Sequence, residues 1–118
     1  MTFQEAQLRA LQPDLFTLEI RPEDDVTVVV VTGELDIATA PRVRDAVFRL
    51  RADGCEAMVL DLRQLTFLDS QGLALLVQLD RDARSQAWDF VIADGSPPLS
   101  RLLKIVGLED HFARRALA

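Results

Sequence analysis

The chain is 118 residues long, 49% hydrophobic and 27% charged, which is enough apolar material for one ordinary core and too little charge for a disordered chain. Its 13 basic and 19 acidic residues leave a formal charge of -6; such a surface repels phosphate backbones and anionic lipid, so neither nucleic acid nor direct membrane insertion is expected. The single cysteine, Cys55, cannot close an intrachain disulfide, and no apolar run approaches the roughly 18 residues of a spanning helix. A cytoplasmic location is therefore expected.

Residues 1–13 read as an N-terminal extension ahead of one domain over 14–118. Thr2 and Glu5 have the spacing of a capping box and Pro13 marks a stop. No basic start followed by an apolar block is present in MTFQEAQLRALQPDL, so no secretory leader is expected. Phe16, Leu18 and Ile20 alternate with Thr17 and Glu19, the period of a strand with one buried face. Pro22, Glu23, Asp24 and Asp25 make a turn. VTVVVVT at 26–32 is β-branched throughout, which predicts a central strand covered on both faces.

From Thr39 the period changes. Val43, Ala46, Val47 and Leu50 fall at i, i+3, i+4 and i+7, with Pro41 in the first turn and Gly54 beyond the end, which predicts a helix. Met58 to Leu62 is a short strand, Arg63 to Leu68 a loop, and a second helix runs from about Ser70 to Arg84. Phe90 to Ala93 is a further strand. Ser96 as cap, Pro97 as first residue and Leu99, Leu102, Leu103 and Val106 at helical spacing define a third helix ended by Gly107. The tail from Leu108 is open between strand and helix.

This order predicts an α/β fold: a small mixed, largely parallel sheet with an antiparallel first strand and crossover helices. Loops that leave the C-terminal edge of a parallel sheet are where such folds keep their sites. Two qualify, Gly33 to Thr39 and Thr66 to Gly72. Parallel pairing of the strands before them would bring Asp36 and Thr39 to the same edge as Asp69 and Ser70.

Ser70 opens a helix, so its plain reading is an N-cap whose hydroxyl accepts from a backbone N–H. A phosphorylated serine would use the same geometry, since a helix N-terminus favours negative charge. Asp36 and Asp69 read first as loop or capping carboxylates. Serine-hydrolase chemistry lacks a base, since the one histidine, His111, lies beyond the last helix, and there is no G-x-S-x-G elbow. The five glycines are too dispersed for a phosphate-binding loop. One histidine and one cysteine cannot build a soft metal site. No catalytic residue, metal or cofactor is expected. Leu73, Leu75, Leu76, Val77 and Leu79 spread around more of the second helix than one core stripe requires, so either some of them reach the surface or a partner, or neighbouring elements cover the helix thickly.

The phrases TGELDIATAPRVRDAV, VLDLRQLTFLDSQGLALLV and LSRLLKIVGLEDHF, in this order and over about residues 15 to 112, resemble the STAS domain, and specifically its anti-sigma factor antagonist branch. The resemblance implies a STAS-like fold and a small, non-enzymatic regulator of transcription. Such a protein binds an anti-sigma factor that is itself a serine kinase, frees a sigma factor, and is reset by a phosphoserine phosphatase. It implies phosphorylation at Ser70, the serine directly after the aspartate of the Asp-Ser-x-Gly turn, with Asp36 at the same partner-facing edge. The expected partner-binding set is Glu34, Asp36, Thr39, Asp69, Ser70, Gln71, Gly72 and Leu73. Gln71 departs from the family, which often has a second small hydroxyl residue there, and so bears on partner choice. The competing use of the same domain is a STAS subunit regulating a membrane transporter ATPase, with Leu73 to Val77 as its docking helix. Aspartyl-phosphate chemistry at Asp69 is the enzymatic alternative, and only Asp36 offers it an acidic neighbour.

Overall fold

A computed structural model describes residues 16–117. The capping box and stop expected over residues 1–13 lie outside the described residues. Strands β1 (Phe16–Glu23) and β2 (Val26–Leu35) form a hairpin, followed by α1 (Ala40–Ala52), β3 (Ala57–Leu68), α2 (Ser70–Gln86), β4 (Asp89–Ala93) and α3 (Pro97–Val106). The sheet order is β1-β2-β3-β4, with β1 antiparallel to β2 and the other two pairings parallel. This is the mixed, largely parallel sheet that the sequence predicts. Asp24, at φ 39°, makes the hairpin turn, a conformation aspartate tolerates better than most residues.

Pairing of β2 with β3 and of β3 with β4 moves the chain one way across the sheet, so right-handed crossovers place α1 and α2 on one face. Val29 and Val31 of β2, Met58, Leu60 and Leu62 of β3, and Phe90 and Ile92 of β4 point to that face and share one core with α1, α2 and α3. Val28, Val30, Val59 and Ala93 point the other way and cluster with Val26, Val91 and Leu117. β2 is thus an interior strand buried on both faces, as its continuous β-branched run predicts.

β1 departs from the simple expectation. Phe16 is buried and Leu18 half-buried, but Ile20 is 46% exposed; the apolar face is covered only at the end of the strand near the site. Beyond α3, Phe112 returns to the core. Ile92 N donates to Ala113 O at 2.9 Å and Arg115 N to Ile92 O at 3.0 Å, so the tail pairs along the outer edge of β4 through a single parallel bridge at Arg114.

The larger correction concerns β3. Arg63 to Leu68 is strand and not loop, and β2 likewise continues through Gly33, Glu34 and Leu35. Between Val30↔Asp61 and Thr32↔Gln64, and again between Gly33↔Leu65 and Glu34↔Phe67, β3 advances one residue more than β2. These bulges break the two-residue alternation by which a strand is recognised and bend its end. Gly33 takes φ 101° beside the second shift, in the left-handed region that glycine enters without strain. Leu65 and Leu68 stay buried while Thr66 and Phe67 turn outward.

Candidate functional site

The strand extensions shorten the expected loops to the four residues Asp36 to Thr39 and the single residue Asp69. Asp36 organises the first. Its Oδ1 accepts from Ala38 N at 2.9 Å and Thr39 N at 3.1 Å, an Asx turn that leads the chain into α1. Thr39 Oγ1 donates to Glu34 O at 2.7 Å and accepts from Asp36 N at 2.9 Å. Glu34, Asp36 and Thr39 are thus locked together, each half-buried. Beside them Ile37 is 69% exposed.

At the second segment the cap is Asp69 and not Ser70. Asp69 Oδ1 accepts from Gln71 N at 2.9 Å and Gly72 N at 3.0 Å, while Ser70 is the first residue of α2 and exposed. Serine and aspartate are both good caps, and adjacent in sequence they cannot be told apart by type. The outcome also qualifies the expectation that the helix terminus welcomes a phosphate, since two of its donors are already engaged by a carboxylate.

Gly72 joins the two segments. A Cβ there would stand 2.6 Å from Leu35 O and 2.5 Å from Leu68 Cδ1, so only glycine lets the first turn of α2 rest on the end of β2. Asp69 N donates to Leu35 O at 3.3 Å. Asp36 and Thr39 therefore do share the edge with Asp69 and Ser70.

Gln71 is exposed and lines a groove between α1 and α2 with Ile37, Pro41, Arg44, Ala74 and Gln78. Gly72 and Leu73 are buried. Leu73 is 8% exposed, joins the core, and lines a shallow groove with Ser70. Its neighbours Leu75, Leu76 and Leu79 are core residues too, and only Val77 is half-buried. Of the two readings of this leucine-rich helix, thick coverage is the one the structure adopts. Ile37, in the first loop, and Phe67, near the end of β3, are 69% and 47% exposed and are not among the expected site residues. The signal was available for Ile37, an isoleucine in a turn with no periodic partner, but masked for Phe67 by the bulge.

Among the described residues no group of histidine, cysteine, aspartate and glutamate is disposed to hold a metal ion, and no helix is long and apolar enough to cross a membrane. Chemically the site offers a nucleophilic hydroxyl in the open, carboxylates at Glu34, Asp36 and Asp69, and two exposed apolar side chains. It presents a surface and a modifiable group.

Residues 17–117 match the profile of the STAS domain. The chain belongs to the STAS domain family. Among its STAS relatives, the anti-sigma-B factor antagonist of Staphylococcus aureus is 30% identical over 79% of this chain and 86% of its own. The anti-sigma-F factor antagonist RsfB of Mycobacterium tuberculosis is 31% identical over 85% of this chain and 81% of its own. The crystal structure of an anti-sigma factor antagonist from Mycobacterium paratuberculosis superposes with a TM-score of 0.76 at 31% identity, covering 89% of each chain. These matches agree with the resemblance carried by the three sequence phrases.

Proposed function

We propose that this STAS protein is an anti-sigma factor antagonist: it binds an anti-sigma factor serine kinase in the cytoplasm, frees a sigma factor, and is switched off by phosphorylation of Ser70. The observation that carries this reading is the placement of Ser70, exposed at the first position of α2 and outside the capping bonds, which Asp69 supplies. A cap serine would have to give up its bonds to be modified; Ser70 does not. The named antagonists that match the chain support the same reading.

In this reading residues 14–118 form the working domain and residues 1–13 an extension to it. The partner rests on the edge formed by Glu34, Asp36, Thr39, Asp69, Ser70 and Gln71, with Gly72 and Leu73 holding that edge from beneath. Phosphorylation adds about -1.5 to -2 charges at one point of the edge. Because Asp69 already occupies the N–H groups of Gln71 and Gly72, the helix terminus does not absorb the new charge. The phosphate stays presented beside a carboxylate, and its bulk and the cost of desolvating a dianion where a small hydroxyl had packed break the contact with the fold intact. A phosphoserine phosphatase restores binding. The reading requires no catalytic residue, metal or cofactor in this chain. Regulation of a transporter ATPase through Leu73 to Val77 is disfavoured, because that run is largely consumed by core packing.

The test is incubation with the cognate anti-sigma kinase and ATP, followed by phosphopeptide mapping and binding measurements. Phosphate on Ser70, unchanged binding for Ser70→Ala and weakened binding for Ser70→Asp are expected. Modification elsewhere with Ser70 untouched would remove the site assignment.

A further inference from the structure

Apart from the α1–α2 groove, Phe67 and Ile105 stand 47% and 74% exposed. They line one groove of about 230 Å³ between the bulged end of β3 and α3, with Pro98 and Leu102 in its wall and Arg101 at its rim. Val106, 45% exposed, continues the apolar surface along α3. Core packing does not need these side chains, since Leu99 and Leu103 already bury the inner face of α3 to 0% and 1% exposure. α3 reads PPLSRLLKIV: two cations and no acid, in a chain whose formal charge is -6. Among the described residues, neither Arg101 nor Lys104 forms an ion pair. The cations thus stand unneutralised beside exposed apolar side chains, while Glu34, Asp36 and Asp69 supply the opposite charge at the Ser70 end.

We infer that this groove is a second contact for the anti-sigma factor and receives an acidic amphipathic segment of it, so that the complete interface is bipolar, acidic at Ser70 and basic along α3. The inference rests on the function proposed above and adds to it the chemistry of the partner. An apolar anchor entering a groove with opposite charge at the rim is a recurring mode of helix recognition, and such anchors carry most of the energy of an interface. Two opposite poles also fix the direction in which the partner lies, because a reversed docking sets like charges face to face. An anionic membrane is the less favoured occupant. It would be attracted by only two cations while drawing the carboxylates of Glu34, Asp36 and Asp69 toward a negative surface, and a concave groove suits a protruding side chain better than a lipid plane.

The experiment compares the full chain with Ile105→Asp and with the double variant Arg101→Glu, Lys104→Glu, titrated against the purified anti-sigma factor, with Ser70→Asp as reference. Ile105 and both cations are exposed, and unchanged thermal unfolding is to accompany the binding data. Both variants are expected to weaken binding at least tenfold, the double variant with a reduced dependence on salt. Wild-type affinity for both, alongside weakened binding for Ser70→Asp, overturns the second contact and leaves the proposed function standing. Failure of the unmodified chain to bind, with Ser70 unphosphorylated, removes both. Binding of the wild-type chain to phosphatidylglycerol vesicles, lost in Ile105→Asp while the anti-sigma titration is unchanged, overturns the inference in favour of a lipid surface.

Discussion

Gly72 lies directly against Leu35. A Cβ built on the glycine would come within 2.6 Å of the Leu35 carbonyl oxygen, and a backbone atom cannot swing aside as the tip of a side chain can. Gly72→Ala is therefore expected to push the first turn of α2 off the end of β2. The cost is that of overpacking, about 1–3 kcal/mol, against the small gain alanine usually brings within a helix. Urea denaturation measures it. A neutral or stabilised variant would show that the two segments of the site are not held by this contact.

The assignment of the cap separates two neighbours. Asp69 satisfies the N–H groups of Gln71 and Gly72, so Asp69→Ala is expected to cost about 0.5–2 kcal/mol, the usual loss of an N-cap. Ser70→Ala, at an exposed first helical position, is expected within about 0.5 kcal/mol of the parent. Equilibrium denaturation of the pair decides it, and the opposite order would return the cap to Ser70.

How much of this was legible in sequence follows from which signals were local. α1 and α3 were readable because their stripes are punctuated, by Pro41 at the start of one and by Gly107 at the end of the other, where φ is 75°. β2 was readable because an unbroken β-branched run has few uses other than a doubly covered strand. The upper half of β3 was not, because its bulges are set by the register with β2 and leave no periodic trace in QLTFL. The leucines of α2 showed too wide a stripe for one face. What the sequence could not supply is that α1 packs beside α2 and adds a second covered side. The loop pair of the site was found from topology alone, whereas Ile37 and Phe67, whose importance lies in being left exposed, needed the coordinates.

Thr39 ties the first loop together from both directions, donating to Glu34 O and accepting from Asp36 N. Thr39→Val keeps the shape and removes both bonds, leaving a half-buried N–H and carbonyl unsatisfied. The expected loss is about 1–3 kcal/mol, largely restored in Thr39→Ser, which retains the hydroxyl. Because Asp36 is positioned by the same hydroxyl, binding of the anti-sigma factor is expected to weaken with Thr39→Val and recover with Thr39→Ser. Identical stabilities for the two variants would remove the hydroxyl from the account.

Asp61 is fully buried, and burial by itself would raise its pKa. The Arg63 guanidinium outweighs this by gripping both carboxylate oxygens at 2.9 Å, helped by the Arg63 backbone N–H and the charge of Arg21, and holds Asp61 below the usual carboxylate range. The folded state therefore releases this proton more readily than the unfolded chain, whose aspartate titrates near about 3.9. The pair's contribution is fully present above that value and is lost as pH falls through the lower, folded value. Asp61→Asn removes one partner and leaves Arg63 without its counter-charge. Loss of one member of a buried pair costs about 3–5 kcal/mol, but with Arg63 35% exposed water screens part of it, and about 2–3 kcal/mol at neutral pH is expected. Guanidinium titrations between pH 7 and pH 3 should find the gap between parent and variant narrowing on the acid side. A gap constant over that range would mean that the charge on Asp61 contributes nothing and that only its shape is used.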